Sequence, residues 1–246
     1  MSVMGLFFLF IASIVVLWLA REGVMSANWL EEGSANWLEE GESVGVAKAS
    51  SGSVGAPPPA AKVGLGVFLA VALCVFSLLT AAFFVRMGSP DWQSPPLPRI
   101  LWLNTAFLIA SSIALQWAYF AAELDDEARL RLLLKIAAAT SGCFLLGQLW
   151  AWKDLIAEGY YAASNAANAF FFLLTAIHGL HLLGGLVALA RTIDKAWRAV
   201  DRAALQTSVE LCTIYWHFVL AIWLVILAML AGEMNAFGAL CRQVLS

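Results

Sequence analysis

The chain has 246 residues, 62% of them apolar and only 13% charged. A water-soluble domain runs nearer to about 45–50% apolar and about 25% charged, so a soluble enzyme is excluded. Fourteen Lys and Arg against seventeen Asp and Glu leave a net charge of −3, and nucleic acid as a partner is excluded because it requires a basic face.

A membrane-spanning helix needs about 20 predominantly apolar residues. Six windows lack Asp, Glu, Lys and Arg altogether: 1–20, 63–85, 100–122, 136–152, 159–190 and 211–232. None shows the alternation of a barrel strand, and helix is the remaining structure that satisfies its own backbone in lipid. The expected fold is an all-α integral membrane protein with six transmembrane helices.

The first window, 1–20, reads as a helix and not as a cleaved leader. Residues 1–10 carry no basic side chain, and Leu19-Ala20-Arg21 is a poor cleavage site. Residues 21–62 form an acidic, then Gly/Ser/Ala/Pro-rich linker in which SANWLEEG at 26–33 recurs unchanged at 34–41. The Trp-Leu units suit contact with a bilayer surface. Such composition cannot bury a core, so a duplication tolerated in an unpacked segment is the simpler reading. The membrane domain proper is expected over 63–233, with a short outer tail at 234–246.

Within that domain the third window carries Asn104, Thr105, Ser111, Ser112 and Gln116, and the fourth Thr140, Ser141 and Gln148. The fifth is too long for one span, so Gly159 to Asn165 reads as an interfacial approach. Its polar residues Asn168, Thr175, His178 and His181 are seven, three and three apart, a stripe that winds around the helix. On the last helix Glu210 and His217 share one face, Trp216 and Trp223 another. All seven prolines lie between Pro57 and Pro98, so the last four windows are uninterrupted.

Lysine and arginine orient the chain. Ten (Arg21, Lys48, Lys62, Arg129, Arg131, Lys135, Arg191, Lys195, Arg198, Arg202) fall on one side, and four (Arg86, Arg99, Lys153, Arg242) on the other. Both termini are therefore expected outside. Trp18, Trp92, Trp102, Trp117, Trp150 and Trp152 lie near helix ends, as an aromatic belt should.

Few side chains are available for redox or metal chemistry. There are three histidines, and the four cysteines (Cys74, Cys143, Cys212, Cys241) form no C-x-x-C pair. Those within the windows are expected to be small apolar fillers. His181 and His217, near one level on adjacent helices, admit haem ligation in principle. Hydrogen-bonded packing between helices is the commoner use. Intramembrane ionisable residues are functional candidates by default, but a proton relay needs a titratable chain across the membrane, and no acid lies beyond the histidines. A stand-alone b-type haem anchor and a small transporter remain alternatives. The latter would be favoured by internal symmetry and broken helices, and neither is present.

Phe171-Phe172, Thr175, His178-Gly179-Leu180-His181 and Gly184 resemble the FF-x-x-T-x-x-HGLH-x-x-G signature of haem–copper oxidase subunit III. Tyr215-Trp216-His217-Phe218-Val219 with Trp223 resembles that family's YWHFV-x-x-x-W run, and Glu210 stands where it usually has a glutamate. Leu103-Asn104-Thr105 with Ser111-Ser112 is similar to its LNT…SS helix, and Gln148 with Trp152 to its Q-x-x-x-W pair. The likeness spans roughly 63–232. It departs at Ala72, where the family often has a buried glutamate, and at Leu220, where an aspartate is common.

The resemblance implies a five-helix antiparallel subunit III core, to which the window at 1–20 adds one extra N-terminal helix. It implies a non-redox accessory subunit of a proton-pumping cytochrome c oxidase in a bacterial inner membrane, stabilising the catalytic subunit and its proton-entry region. Haems and copper are then expected in the partners, subunits I and II, with none in this chain. His178, His181, Glu210, His217, Trp216, Trp223, Asn104 and Gln148 are the expected structural or lipid-associated polar positions, with bound phospholipid as a further expectation. A subunit III-like partner of a quinol oxidase or nitric oxide reductase is the nearest alternative.

Overall fold

A computed structural model describes residues 60–89, 92–93, 95–198 and 202–232. The expected helix at 1–20, nearly all of the 21–62 linker with its repeat, and the 234–246 tail with Cys241 lie outside them. Five helices follow in order: α1 Ala60–Met87, α2 Ile100–Glu123, α3 Glu127–Ala157, α4 Ala166–Trp197 and α5 Arg202–Leu230. All five are long and apolar enough to cross a membrane.

The helices outrun their charge-free windows. α3 begins at Glu127, nine residues before its window, and α5 begins at Arg202, again nine before. The reason is physical: a window without charge measures the hydrocarbon slab, whereas a helix continues into the interface, where Arg129, Arg131 and Lys135 sit comfortably. α1 likewise takes Ala60, Ala61 and Lys62 from the expected linker into its first turn.

Local signals set the ends. Asp126 caps α3, its side chain accepting from the Arg129 N–H at 3.0 Å. The preceding Asp125 takes a φ of 61°, a left-handed conformation that aspartate tolerates better than most side chains. α3 stops at Gly159, whose φ of 90° lets Tyr160 N–H reach Leu155 O at 2.9 Å. Asn165 caps α4 by accepting from Ala167 N–H at 3.0 Å, and its own amide donates to Gln93 O at 2.7 Å. The segment before Ala166 therefore lies outside α4, which begins seven residues into the long fifth window.

α2, α3, α4 and α5 close into a ring, α2 packing on α3 and α5, and α4 on α3 and α5. Their shared interior holds Leu108, Leu115, Phe144, Phe171, Trp216 and Trp223, all fully buried. α1 lies against this ring through side chains alone. Of its apolar face only Ala72, Phe76 and Phe83 are buried, while Val67, Val71 and Leu78 are exposed. Cys74 and Cys143 are exposed too, so of the described cysteines only Cys212 serves as the expected filler.

Candidate functional site

In lipid an exposed hydroxyl or amide has no water to bond, so polar side chains on spanning helices turn inward. Asn104, Ser111, Ser112, Ser141, Gln148, Thr175 and His178 are all buried in the ring. Among them Ser111, Ser141 and Thr175 tie one helix to another.

Three ties cross the interior. The Trp216 Nε1–H on α5 donates to Ser141 Oγ on α3 at 3.0 Å, and Ser141 Oγ lies 2.7 Å from Ser111 Oγ on α2. Ser111 also bonds Ala137 O at 3.0 Å, a contact in which only the hydroxyl can donate. The Ser141 proton must therefore point at Ser111, and the chain runs in one direction from indole to carbonyl. Two turns along α5, Trp223 Nε1–H donates to Thr105 Oγ1 at 3.0 Å, while Thr105 donates back to Leu101 O at 2.8 Å. Between α3 and α4, Trp152 Nε1–H reaches Thr175 Oγ1 at 3.0 Å. Each pairing puts a tryptophan N–H on a hydroxyl of another helix, which buries a large ring without stranding its donor.

His178 sits in the Trp223 layer. Its ring lies 5.1 Å from that indole and 5.6 Å from Phe144, which meets Trp223 edge-on at 4.9 Å. Its Nε2 has no hydrogen-bond partner. His181, three residues on, turns away toward α1, where its ring meets Phe76 at 5.3 Å and Phe68 at 6.1 Å. Phe68, Ala72 and Phe76 thus form one face over His181, with Ala72 between the two rings. His181 Nδ1 donates to Ile177 O at 2.9 Å, and His217 Nδ1 to Thr213 O at 2.7 Å, each bonding its own helix one turn back. Asn104 and Gln148 are both buried with neither amide atom paired. Asn104 lies directly on Gly147, where any Cβ would collide with its side-chain oxygen, so the close α2–α3 approach requires that glycine.

Glu210 is at the rim. It accepts from Lys62 of α1 at 2.6 Å, and the pair keeps 29% and 40% of its side-chain surface exposed. From the same side Tyr215 Oη donates to His181 O at 2.7 Å and stacks near Phe68, joining α5, α4 and α1. Tyr215 was visible in sequence only through the motif, since its partner is a backbone carbonyl on another helix. An open apolar cleft of about 610 Å³ lies between α1, α4 and α5, walled by Phe68, His181, Gly184, Gly185, Cys212 and Tyr215.

The histidines do not assemble a redox site. His178 faces two aromatic rings, His181 faces α1, and His217 bonds its own helix. Among the described residues no three His, Cys, Asp or Glu side chains converge on one point. Among the described residues these donors do not gather into a haem or copper site.

Fold and interior together define a multi-pass helical membrane protein whose buried indoles and hydroxyls join helices. The sequence profile of cytochrome c oxidase subunit III matches residues 60–231, which are the five helices described. The chain is similar to a probable cytochrome c oxidase subunit 3 of Nocardia farcinica, 33% identical over 172 residues, covering 68% of this chain and 85% of that protein. It is similar also to cytochrome c oxidase subunit 3 of Thermostichus vulcanus, 32% identical over 176 residues and covering 68% and 84%. The counterpart from Corynebacterium diphtheriae is 29% identical over 175 residues, with 68% and 85% covered. The chain belongs to the cytochrome c oxidase subunit III family, membrane-embedded accessory subunits of haem–copper oxidases.

Proposed function

We propose that this chain is the non-redox accessory subunit of a proton-pumping haem–copper cytochrome c oxidase, packed beside catalytic subunit I in a complex that also holds subunit II. It acts as a rigid helical support for the catalytic subunit and its proton-entry region. The observation that carries this is the use of its interior polar groups: indole, hydroxyl and carbonyl are bonded helix to helix, and the histidines are packed among rings or turned onto their own backbone. A rigid ring of this kind presents its exterior unchanged to a neighbouring subunit while the chemistry proceeds elsewhere.

His178, His181, Trp216, Trp223, Asn104 and Gln148 serve in this reading as packing positions, and His217 with Glu210 lies on the α5 flank. The cleft beside α1 is the place for a phospholipid chain. In a bacterial cytoplasmic membrane the lysine and arginine count puts the Lys62–Glu210 end inside and both termini outside.

An affinity tag on this chain, purified in mild detergent, tests the reading. Expected is co-purification of a haem–copper catalytic subunit and oxygen uptake driven by reduced cytochrome c. Uptake driven by quinol and not by cytochrome c would assign the chain to a quinol oxidase instead.

A further inference from the structure

Trp197 closes α4 at the charged end of the bundle with its indole half exposed. Two cations from α3 share that ring: Lys135 Nζ stands 4.5 Å from its centroid and Arg131 Cζ 5.7 Å. Arg131 is held in place, its Nε donating to Ala196 O at 3.1 Å and its Nη2 to Glu127 at 2.8 Å. Lys135 has no carboxylate among the described residues, and its contact is the ring alone. The nearby Asp194 is already engaged by Arg198 at 2.9 Å. One carboxylate, Glu127, against two cations leaves this corner with a net charge of +1.

Three kinds of donor are available here: the ammonium of the exposed Lys135, the N–H groups of Arg131 not used by Ala196 and Glu127, and the Trp197 Nε1–H, which makes no hydrogen bond among the described residues. Toward the membrane centre, Leu146 on α3 and Leu183 on α4, which helical spacing puts near the faces of Lys135 and Trp197, are apolar and exposed. Gly142 opens the α3 side further, since a Cβ there would meet nothing within 4 Å.

We infer that Lys135, Arg131 and Trp197 form a headgroup site for an anionic phospholipid, with its acyl chains lying along the exposed α3–α4 seam. The charge balance selects the lipid class. A single phosphodiester with no amine of its own neutralises the +1 corner, whereas a zwitterionic headgroup brings a second cation against Lys135. Basic pockets between spanning helices favour anionic headgroups on these grounds. The site is separate from the cleft beside α1, and it needs only a bilayer, so it stands independently of the oxidase reading.

The test uses the intact complex, purified through this chain and placed in phosphatidylcholine vesicles doped with a photoactivatable phosphatidylglycerol. Expected are adducts on residues 131–139 and 190–198, with little labelling by a phosphatidylcholine carrying the same photogroup. Each unit of positive charge near a membrane surface changes anionic-lipid occupancy about fivefold. Lys135→Met is therefore expected to lower labelling about fivefold and Lys135→Glu about twenty-five-fold. Trp197→Leu keeps an apolar side chain and removes both ring and N–H, so labelling should fall while assembly is unchanged. Equal labelling by the two lipids, labelling unchanged in both Lys135 variants, or adducts confined to the α1 cleft would each overturn the assignment.

Discussion

Ser141→Ala tests whether the interior bonds hold the ring together. Ser141 accepts from the Trp216 indole at 3.0 Å and donates to Ser111 at 2.7 Å, with no exposure at Trp216. Removing one oxygen breaks two interhelical bonds, each worth about 0.6 kcal/mol in membrane proteins. It also strands the indole N–H, which adds about 1–3 kcal/mol. The expected loss is about 2–4 kcal/mol. Trp216→Phe costs packing but strands no donor, because donor and bond leave together. In that background Ser141→Ala loses only its bond to Ser111, about 0.6 kcal/mol. The two substitutions should therefore couple by about 1.5–3.5 kcal/mol in a double-mutant cycle. The assay is equilibrium unfolding of the full chain in detergent micelles titrated with SDS, followed by tryptophan fluorescence. Additivity to within about 0.5 kcal/mol would refute the directed chain from indole to carbonyl.

Other outcomes follow from the same geometry. His178→Ala opens a void beside Phe144 and Trp223 and should cost about 2–4 kcal/mol, weakening retention of the chain by the complex more than it lowers turnover. His178→Phe should be close to neutral, since Nε2 has no partner to lose; equal loss of turnover in both variants would argue for a ligand or relay role. Gly185→Val should loosen the α4–α5 seam by about 1–3 kcal/mol, because a Cβ there meets Tyr215 Cε1 at 2.5 Å and Trp216 Cζ3 at 3.1 Å. The same unfolding titration reads it. Glu210→Gln breaks a partly exposed ion pair to Lys62 and should cost less than about 1 kcal/mol. That difference should shrink as salt is raised in the same titration.

Much of this interior was legible in the residues. Lipid removes water as an alternative partner, so Asn104, Ser111, Ser141, Gln148 and Thr175 had to face protein, and they do. The winding of the fifth window's polar stripe was legible as well. Steps of three carry the pattern round the helix, and His178 lies inside the ring while His181 faces α1. Partner identity was not legible. Spacing shows that Trp216 and Trp223 share a face, but nothing local says that one meets a serine on α3 and the other a threonine on α2. Trp197 escaped notice because it lies beyond a charge-free window, in the interfacial turn that such windows cut away. The close approaches at Gly147 and Gly185 were equally hidden, since a glycine's role depends on the atom opposite it.

The central claim is that this chain supports redox chemistry without performing it. Stripping the chain from the purified complex with detergent, then measuring haem in both fractions and oxygen uptake in the remainder, tests that claim most directly. The account predicts that all haem stays with the catalytic subunit, that the stripped complex still reduces oxygen, and that the separated chain has no Soret band. A stoichiometric Soret band travelling with this chain would contradict it.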